Sequence, residues 1–167
     1  MTMPSPTIEP RHFRDVMGHL PTGVVVVAGR RVDTGDPAGL VVGTFQSLSL
    51  DPPLVSFSVA TTSSSWPKIR PAEYFSASVL ADGQNDVCRA MSSKRDDKFA
   101  AVDWNESTDG APQISGSHAW IDCRTVRELE GGDHLVVIAE VRRLEAGGGD
   151  PLLFHRGRLG GYRELQF

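Results

Sequence analysis

Gly43-Thr-Phe-Gln-Ser47-Leu-Ser49-Leu-Asp51-Pro52-Pro53 sets hydroxyls and small residues along an extended segment that stops at a rigid turn. Two successive prolines fix two φ angles and remove two backbone donors. The spacing therefore predicts a strand over Gly39–Leu50 that reverses into a second strand over Leu54–Ala60. An antiparallel pair whose edge carries small polar side chains reads as a binding edge.

Upstream, Phe13, Val16, Met17 and Leu20 recur at helical spacing between Pro10 and Pro21, which predicts a short amphipathic helix over Pro10–His19 packed against the sheet. The β-branched run Gly23–Gly29 and the segment Leu40–Gln46 flank a turn-rich Asp33–Gly39 and form a hairpin. Downstream, a short helix at Trp66–Arg70 leads to a strand at Tyr74–Leu80. A helical stretch follows, with Asp82 as its N-cap, then a turn around Asp96–Ala101 and an end near Trp104. Ser117–Leu129 and His134–Glu145 are long β-type runs joined by Glu130-Gly-Gly-Asp133, and Leu152–Tyr162 adds a last short strand. Glu145–Asp150 reads as a flexible loop. Six or seven strands that do not alternate with helices exclude a doubly wound sheet and favour a mainly β fold, an antiparallel barrel with peripheral short helices.

The 167 residues, 40% hydrophobic and 23% charged, fit one domain spanning 1–167, with residues 1–9 expected as a disordered tail. A net charge of −4 and a pI near 5.7, with no basic run interleaved with aromatics, argue against nucleic acid as a partner. The longest apolar run, Val24–Ala28, is too short to span a bilayer, and the start has no signal-peptide pattern. A cytoplasmic protein with no membrane partner is expected. Cys88 and Cys123 lack CxxC or metal spacing, which favours two free thiols.

Several familiar sites fail on spacing. No P-loop or GxGxxG pyrophosphate cradle occurs, the five histidines form no metal-binding pair, and Ser65-Trp-Pro-Lys68 lacks the companion elements of SxxK acyl enzymes. Thr61-Thr-Ser-Ser-Ser65 can gather hydroxyls and amides on an anion, or else serve as a solvated loop capped at Ser64 or Ser65. Lys98 can supply a counter-charge or lie on a solvated face. Gly132-Asp133-His134 can present an imidazole from a hairpin, or simply make an exposed turn. His155-Arg156-Gly-Arg158 offers guanidinium groups to a carboxylate or phosphate, or keeps an edge strand soluble.

Taken in order, TGVVVVAG at 22–29, GTFQSLSLDPP at 43–53, TTSSSW at 61–66, DKF at 97–99, GDH at 132–134 and FHRGRLGGY at 154–162 resemble the flavin reductase domain family. These are the NAD(P)H:FMN oxidoreductases that supply reduced flavin to two-component monooxygenases. The resemblance implies a homodimeric FMN-binding split β-barrel of Greek-key type, with FMN (or FAD) as cofactor, NADH or NADPH as co-substrate, and a separate flavin-dependent monooxygenase as partner. It implies that Gly43, Thr44, Phe45, Gln46, Ser47 and Ser49 run along the isoalloxazine. Ser63, Ser64, Ser65, Trp66 and Lys98 would approach the ribityl phosphate, and Asp133 and His134 the nicotinamide, with His134 as the catalytic candidate. Arg156 joins the cofactor-binding candidates, and no metal is expected.

The chain departs from the family's pattern where hydroxyl residues are common at 41 and 43, asparagine at 78, a glycine five residues after the GDH histidine and an aromatic at 159. Here those places hold Val41, Gly43, Ser78, Ala139 and Leu159. The competing readings are a non-catalytic flavin-binding protein on the same barrel and a related reductase for another cofactor, such as a corrinoid or a deazaflavin. Lys68, Arg70, Arg156 and Arg158 would report on the latter through the basicity of the groove.

Overall fold

The run Val24–Ala28 is buried on both faces, which is why it reads as continuous rather than alternating apolar sequence. The computed structural model describes residues 6–166. Along the chain come helix α1 (Pro10–Met17) and strands β1 (Thr22–Gly23), β2 (Val25–Arg30), β3 (Pro37–Val42), β4 (Gln46–Leu50) and β5 (Pro53–Ala60). Helix α2 (Trp66–Ile69), strand β6 (Tyr74–Val79), helix α3 (Asn85–Ser92) and a 3-10 turn (Lys98–Ala101) follow. Strands β7 (Trp104–Glu106), β8 (Pro112–Ile114), β9 (Ala119–Gly131), β10 (His134–Ala146), β11 (Leu152–His155) and β12 (Arg158–Gly161) complete the order.

Seven strands form one antiparallel sheet in the order β3-β2-β6-β9-β10-β5-β4. Its two edge strands, β3 and β4, are consecutive in the chain and separated only by Gly43–Phe45. Four Cα steps reach at most about 14 Å, so the opposite edges of the sheet must curl toward each other. The result is a barrel left open along the β3 side. Inside it, Phe57 meets Trp66 and Phe75 edge-on, with ring centroids at 5.6 and 5.7 Å, and lies against Phe45 at 5.9 Å. A second core, holding Val24, Val26, Leu80, Met91, Phe99 and Ile114, fills the outer face of β2 beneath α3 and the 3-10 turn.

Six details differ from the sequence expectation. The strand expected over Gly39–Leu50 is two strands, because Thr44 Oγ1 accepts the Ser58 amide at 2.8 Å and so takes the place of a ladder partner. Helix α1 buries none of its residues, and Phe13, Val16 and Met17 are exposed rather than packed on the sheet. Helix α3 starts after Gln84 with no side-chain cap from Asp82, and the Gln84 carboxamide ties Ala81 to Ser115. The end near Trp104 is the start of a β7–β8 hairpin. The tail forms a hairpin of two strands, whose Arg156-Gly157 turn has φ of 50° and 77°, the positive values a tight two-residue turn requires. Glu145 and Ala146 extend β10 rather than opening a loop.

Of the expected tail, residues 1–5 lie outside the described residues, while the Glu9 carboxylate accepts the Arg11 and His12 amides and caps α1. Cys88 and Cys123 are both free thiols, and burial, followed by the nearby Asp122 charge, pushes Cys123 up to about 12. Among the described residues no helix is long and apolar enough to cross a membrane.

Candidate functional site

Where the ladder breaks at Gly43–Phe45, a groove of about 520 Å³ opens beside the barrel. Its floor is β3 from Leu40 to Val42. One wall is Ser58–Ala60 of β5 with the loop Thr62–Ser65, and the other is the α3 terminus from Met91 to Lys94. Lys98 and His134 also line it. Side chains along it are mostly small or hydroxyl-bearing, which leaves room for a flat ring system to approach the backbone.

Gly43 marks the bend. A Cβ there would come within 2.9 Å of Thr22 Oγ1, so the absence of a side chain keeps the bend against β1. The amides of Gly43–Phe45 fall between the β3 and β4 ladders. Those of Thr62 and Ser64 have no backbone partner among the described residues. Amides in such a position can donate to the carbonyl and phosphate oxygens of a ligand.

The serine loop divides its labour. Ser63 Oγ accepts the amides of Ser65 at 3.3 Å and Trp66 at 3.1 Å, while Ser65 holds the N-cap position of α2 with no capping bond from its own side chain. Ser65 Oγ accepts from Lys98 Nζ at 3.0 Å, and Ser64 is left exposed with its hydroxyl turned to no described partner. Lys98 Nζ also donates to the carbonyls of Gly39 and Met91, each at 3.0 Å, and so pins β3, α3 and the serine loop together. Burial, and then the charge of Lys68, hold its pKa below the ordinary lysine value. A half-buried ammonium without a carboxylate partner favours an anion beside it.

His134 enters at the first residue of β10, paired with Ala60 and Gly131. Its Nδ1 lies 2.7 Å from Asp133 Oδ1, and this hydrogen bond holds the carboxyl below its usual range. The Asp133 carbonyl accepts both the amide and the hydroxyl of Thr61, at 2.9 and 3.0 Å, which fixes the GDH turn to the start of the serine loop.

The groove thus brings together Gly43, Thr44, Ser63, Ser64, Ser65, Lys98 and His134, drawn from segments far apart in sequence. The other candidates do not line it. Phe45 stacks on Phe57 in the core, and Gln46, Ser47 and Ser49 lie on the edge strand β4. The Trp66 indole is buried and donates to Glu128 Oε1 at 3.1 Å. Asp133 stands behind His134, and Arg156 sits in the β11–β12 turn with its amide on the Gly18 carbonyl. Of the residues named for basicity, Lys68 pairs with Asp96 and Arg70 with Glu128, outside the groove. Arg158 lines a separate hollow with His155 and Leu159. Ser78, where the family favours asparagine, is buried and its hydroxyl accepts the Ile114 amide at 3.0 Å. Ser58, Ser92, Ser93 and Lys94 line the groove without having been singled out. The signal for three of these was a second Ser-Ser pair followed by Lys-Arg just after a helical run.

The flavin reductase like domain matches residues 17–163 of the chain. A flavin reductase of Pseudomonas putida is 46% identical over 159 residues, covering 95% of this chain and 93% of its own length. A flavin-dependent monooxygenase reductase subunit of Rhodococcus jostii is 43% identical over 155 residues, 92% of this chain and 78% of its own. Among solved structures, nitrilotriacetate monooxygenase component B from Mycobacterium thermoresistibile superposes with a TM-score of 0.87 at 38% identity, covering 94% of this chain and 91% of that one. An NADH:FAD oxidoreductase of Streptomyces globisporus, solved with NAD and FAD fragments, gives 0.86 at 32% identity, covering 95% and 98%.

Proposed function

The chain belongs to the flavin reductase like domain family and is an oxidoreductase on the split barrel; from that premise we propose that it reduces FMN or FAD with NADH or NADPH by hydride transfer and passes the reduced flavin to a separate flavin-dependent monooxygenase. The observation that carries this reading is the groove at the barrel's open side, which gathers Gly43-Thr44, Ser63–Ser65, Lys98 and His134. Its residues fit a flavin: small side chains leave room for the ring, and Gly43 and Thr44, whose amides lie outside the ladders, line the space.

A bound flavin would supply the two-electron acceptor, taking hydride at its central ring and negative charge on its pyrimidine end. The amides of Gly43–Phe45 donate to that end and stabilise the charge as it develops, a preorganised term that needs no reorganisation at the moment of transfer. The Ser64 hydroxyl and the amides of Thr62 and Ser64 receive the ribityl phosphate, with Lys98 behind Ser65 as the nearby positive charge. His134, held by Asp133, orients the nicotinamide against the ring. Since the hydride carries its own electrons, the imidazole acts by positioning and not as an obligatory acid or base.

A second copy of the chain is part of the same proposal. The exposed apolar residues Phe13, Val16, Met17 and Leu20 on and after α1, with Leu48 and Leu50 on the unpaired edge of β4, support a homodimer. Dimerisation would also give Gln46, Ser47 and Ser49 a role that one chain does not provide. The test is oxidation of NADH and of NADPH by the purified chain with excess FMN, FAD or riboflavin, followed by loss of the reduced-nicotinamide absorbance. Flavin-dependent oxidation is expected, and none with any of the three flavins would remove the reductase reading.

A further inference from the structure

Between the β7–β8 hairpin and the strands β9 and β10 lies a cavity of about 360 Å³, near the lower end of the range for small-molecule sites of about 300–1,000 Å³. It shares no lining residue with the flavin groove, and none of its residues lies on α1 or β4. Asp122 lines it, only 4% exposed and unused by the proposed hydride transfer. Its neighbours Ile121 and Cys123 pack in the barrel core, so strand alternation turns Trp120 and Asp122 to the outer face. Gln113 Nε2 donates to Asp122 Oδ1 at 2.9 Å, and Oδ2 has no protein donor among the described residues. A buried carboxylate with an unfilled oxygen favours a cationic donor beside it. We propose that this cavity binds a small organic ammonium ion, with its N–H on Asp122 Oδ2 and its apolar body against Trp120 and Leu144.

The rest of the lining agrees with such a ligand. Arg143, the ladder partner of Asp122 and the one cation of the lining, reaches Asp109 Oδ2 at 3.5 Å rather than Asp122. Of the two other carboxylates, Glu106 is engaged by Arg30, while Glu145 forms no ion pair among the described residues. Glu145 stands across the ladder from Trp120. The Trp120 indole nitrogen donates to the Ile114 carbonyl at 2.8 Å, so the ring offers the cavity carbon surface, which attracts a cation as well as an apolar group. A metal ion does not suit the place, because among the described residues no three carboxylate, histidine or cysteine side chains gather closely enough to hold one. An ammonium needs less: one buried acceptor, one negative charge nearby and an aromatic wall.

The experiment is calorimetric titration of the full chain with phenethylammonium, beside phenethyl alcohol, which has the same body and no charge, and with three variants whose melting temperatures are measured alongside. Asp122→Asn keeps an acceptor for Gln113 and removes the charge, Glu145→Lys reverses the exposed charge, and Thr108→Trp fills the cavity from its exposed rim. The unaltered chain is expected to bind phenethylammonium tighter than about 1 mM and the alcohol about tenfold more weakly. Each variant is expected to weaken the ammonium by about tenfold. Glu145→Lys and Thr108→Trp change exposed positions, so they decide the question if Asp122→Asn does not fold. No binding to the unaltered chain, equal binding of the alcohol, or unchanged affinity in the folded variants overturns the proposal. So does displacement of the ammonium by FMN, which would move it to the flavin groove.

Discussion

The seam between β9 and β10 and the gap between β3 and β4 are both built from β-type runs and end in opposite states. Along the seam twelve residue pairs run from His134 and Gly131 to Ala146 and Ala119, with two register shifts, so backbone donors and acceptors satisfy each other. At the gap the chain crosses from one sheet edge to the other in Gly43–Phe45, and its amides fall outside both ladders. The barrel's stability is concentrated where pairing is continuous, and its binding capacity where pairing stops. Substitutions in the two regions should therefore separate folding from flavin binding.

The largest effect is expected from the core that supports both regions. Phe57→Ala empties the site where Phe45, Trp66 and Phe75 converge, and should cost about 3–5 kcal/mol in denaturant unfolding. A cost confined to flavin affinity would break the comparison at its root, since the gap would then stand without the core. Gly43→Val comes next. Its Cβ meets Thr22 Oγ1 at 2.9 Å, so the bend must move, at about 1–3 kcal/mol of stability and with weaker flavin binding in the same protein.

Ser64→Leu should act on binding alone. The residue is exposed and its hydroxyl has no described partner, so stability should move by no more than about 0.5 kcal/mol. The flavin dissociation constant should rise about tenfold, or about 1.4 kcal/mol. Ser47→Leu on the edge strand tests the second copy: flavin affinity should fall, by less than for Ser64→Leu, if β4 of one chain reaches the flavin of the other. Unchanged affinity would mean that one chain holds the whole site.

The continuous region was the legible one. Alternation and turn glycines placed the β9–β10 hairpin and most of the sheet, because a ladder imposes a period of two on the residues that pack. The gap carried no such mark. Gly43-Thr44-Phe45 reads as uninterrupted strand, and only the Thr44 hydroxyl on the Ser58 amide breaks it. In Ser63-Ser64-Ser65 three identical side chains hide three different roles, which backbone geometry alone assigns. The pattern of α1 showed an apolar face and nothing about what covers it, so packing on the sheet was the wrong inference. Lys98 read equally as counter-charge or surface residue until its three acceptors were in place.

His134 sits where the two regions meet, at the first pair of the seam and at the end of the groove. His134→Ala should raise the apparent KM for NADH or NADPH several-fold while lowering kcat less, because the ring orients substrate without exchanging a proton. An equal fall in kcat and kcat/KM would instead place the imidazole in the transition state. That outcome would end the positioning role.

The smallest effect belongs to Asp133→Asn. The loop attachment survives, since Thr61 bonds the Asp133 carbonyl and not its side chain. What is lost is the carboxylate charge beside His134 Nδ1. Hydrogen bonding from His134, and then its charge, hold the Asp133 carboxyl below its ordinary value of 3.8. A carboxyl depressed in the native state stabilises fully above its unfolded value, and that stabilisation disappears as pH falls through the native one. The native chain should therefore lose stability below 3.8 with a slope to which Asp133 contributes, and the asparagine variant should lack that slope and lie below the native chain by a small constant amount at higher pH. Denaturant midpoints of both proteins across the acid range test this. Identical slopes would show the pair too solvated to matter to folding, leaving any rise in KM for the nicotinamide as the sole sign that Asp133 aims the imidazole into the groove.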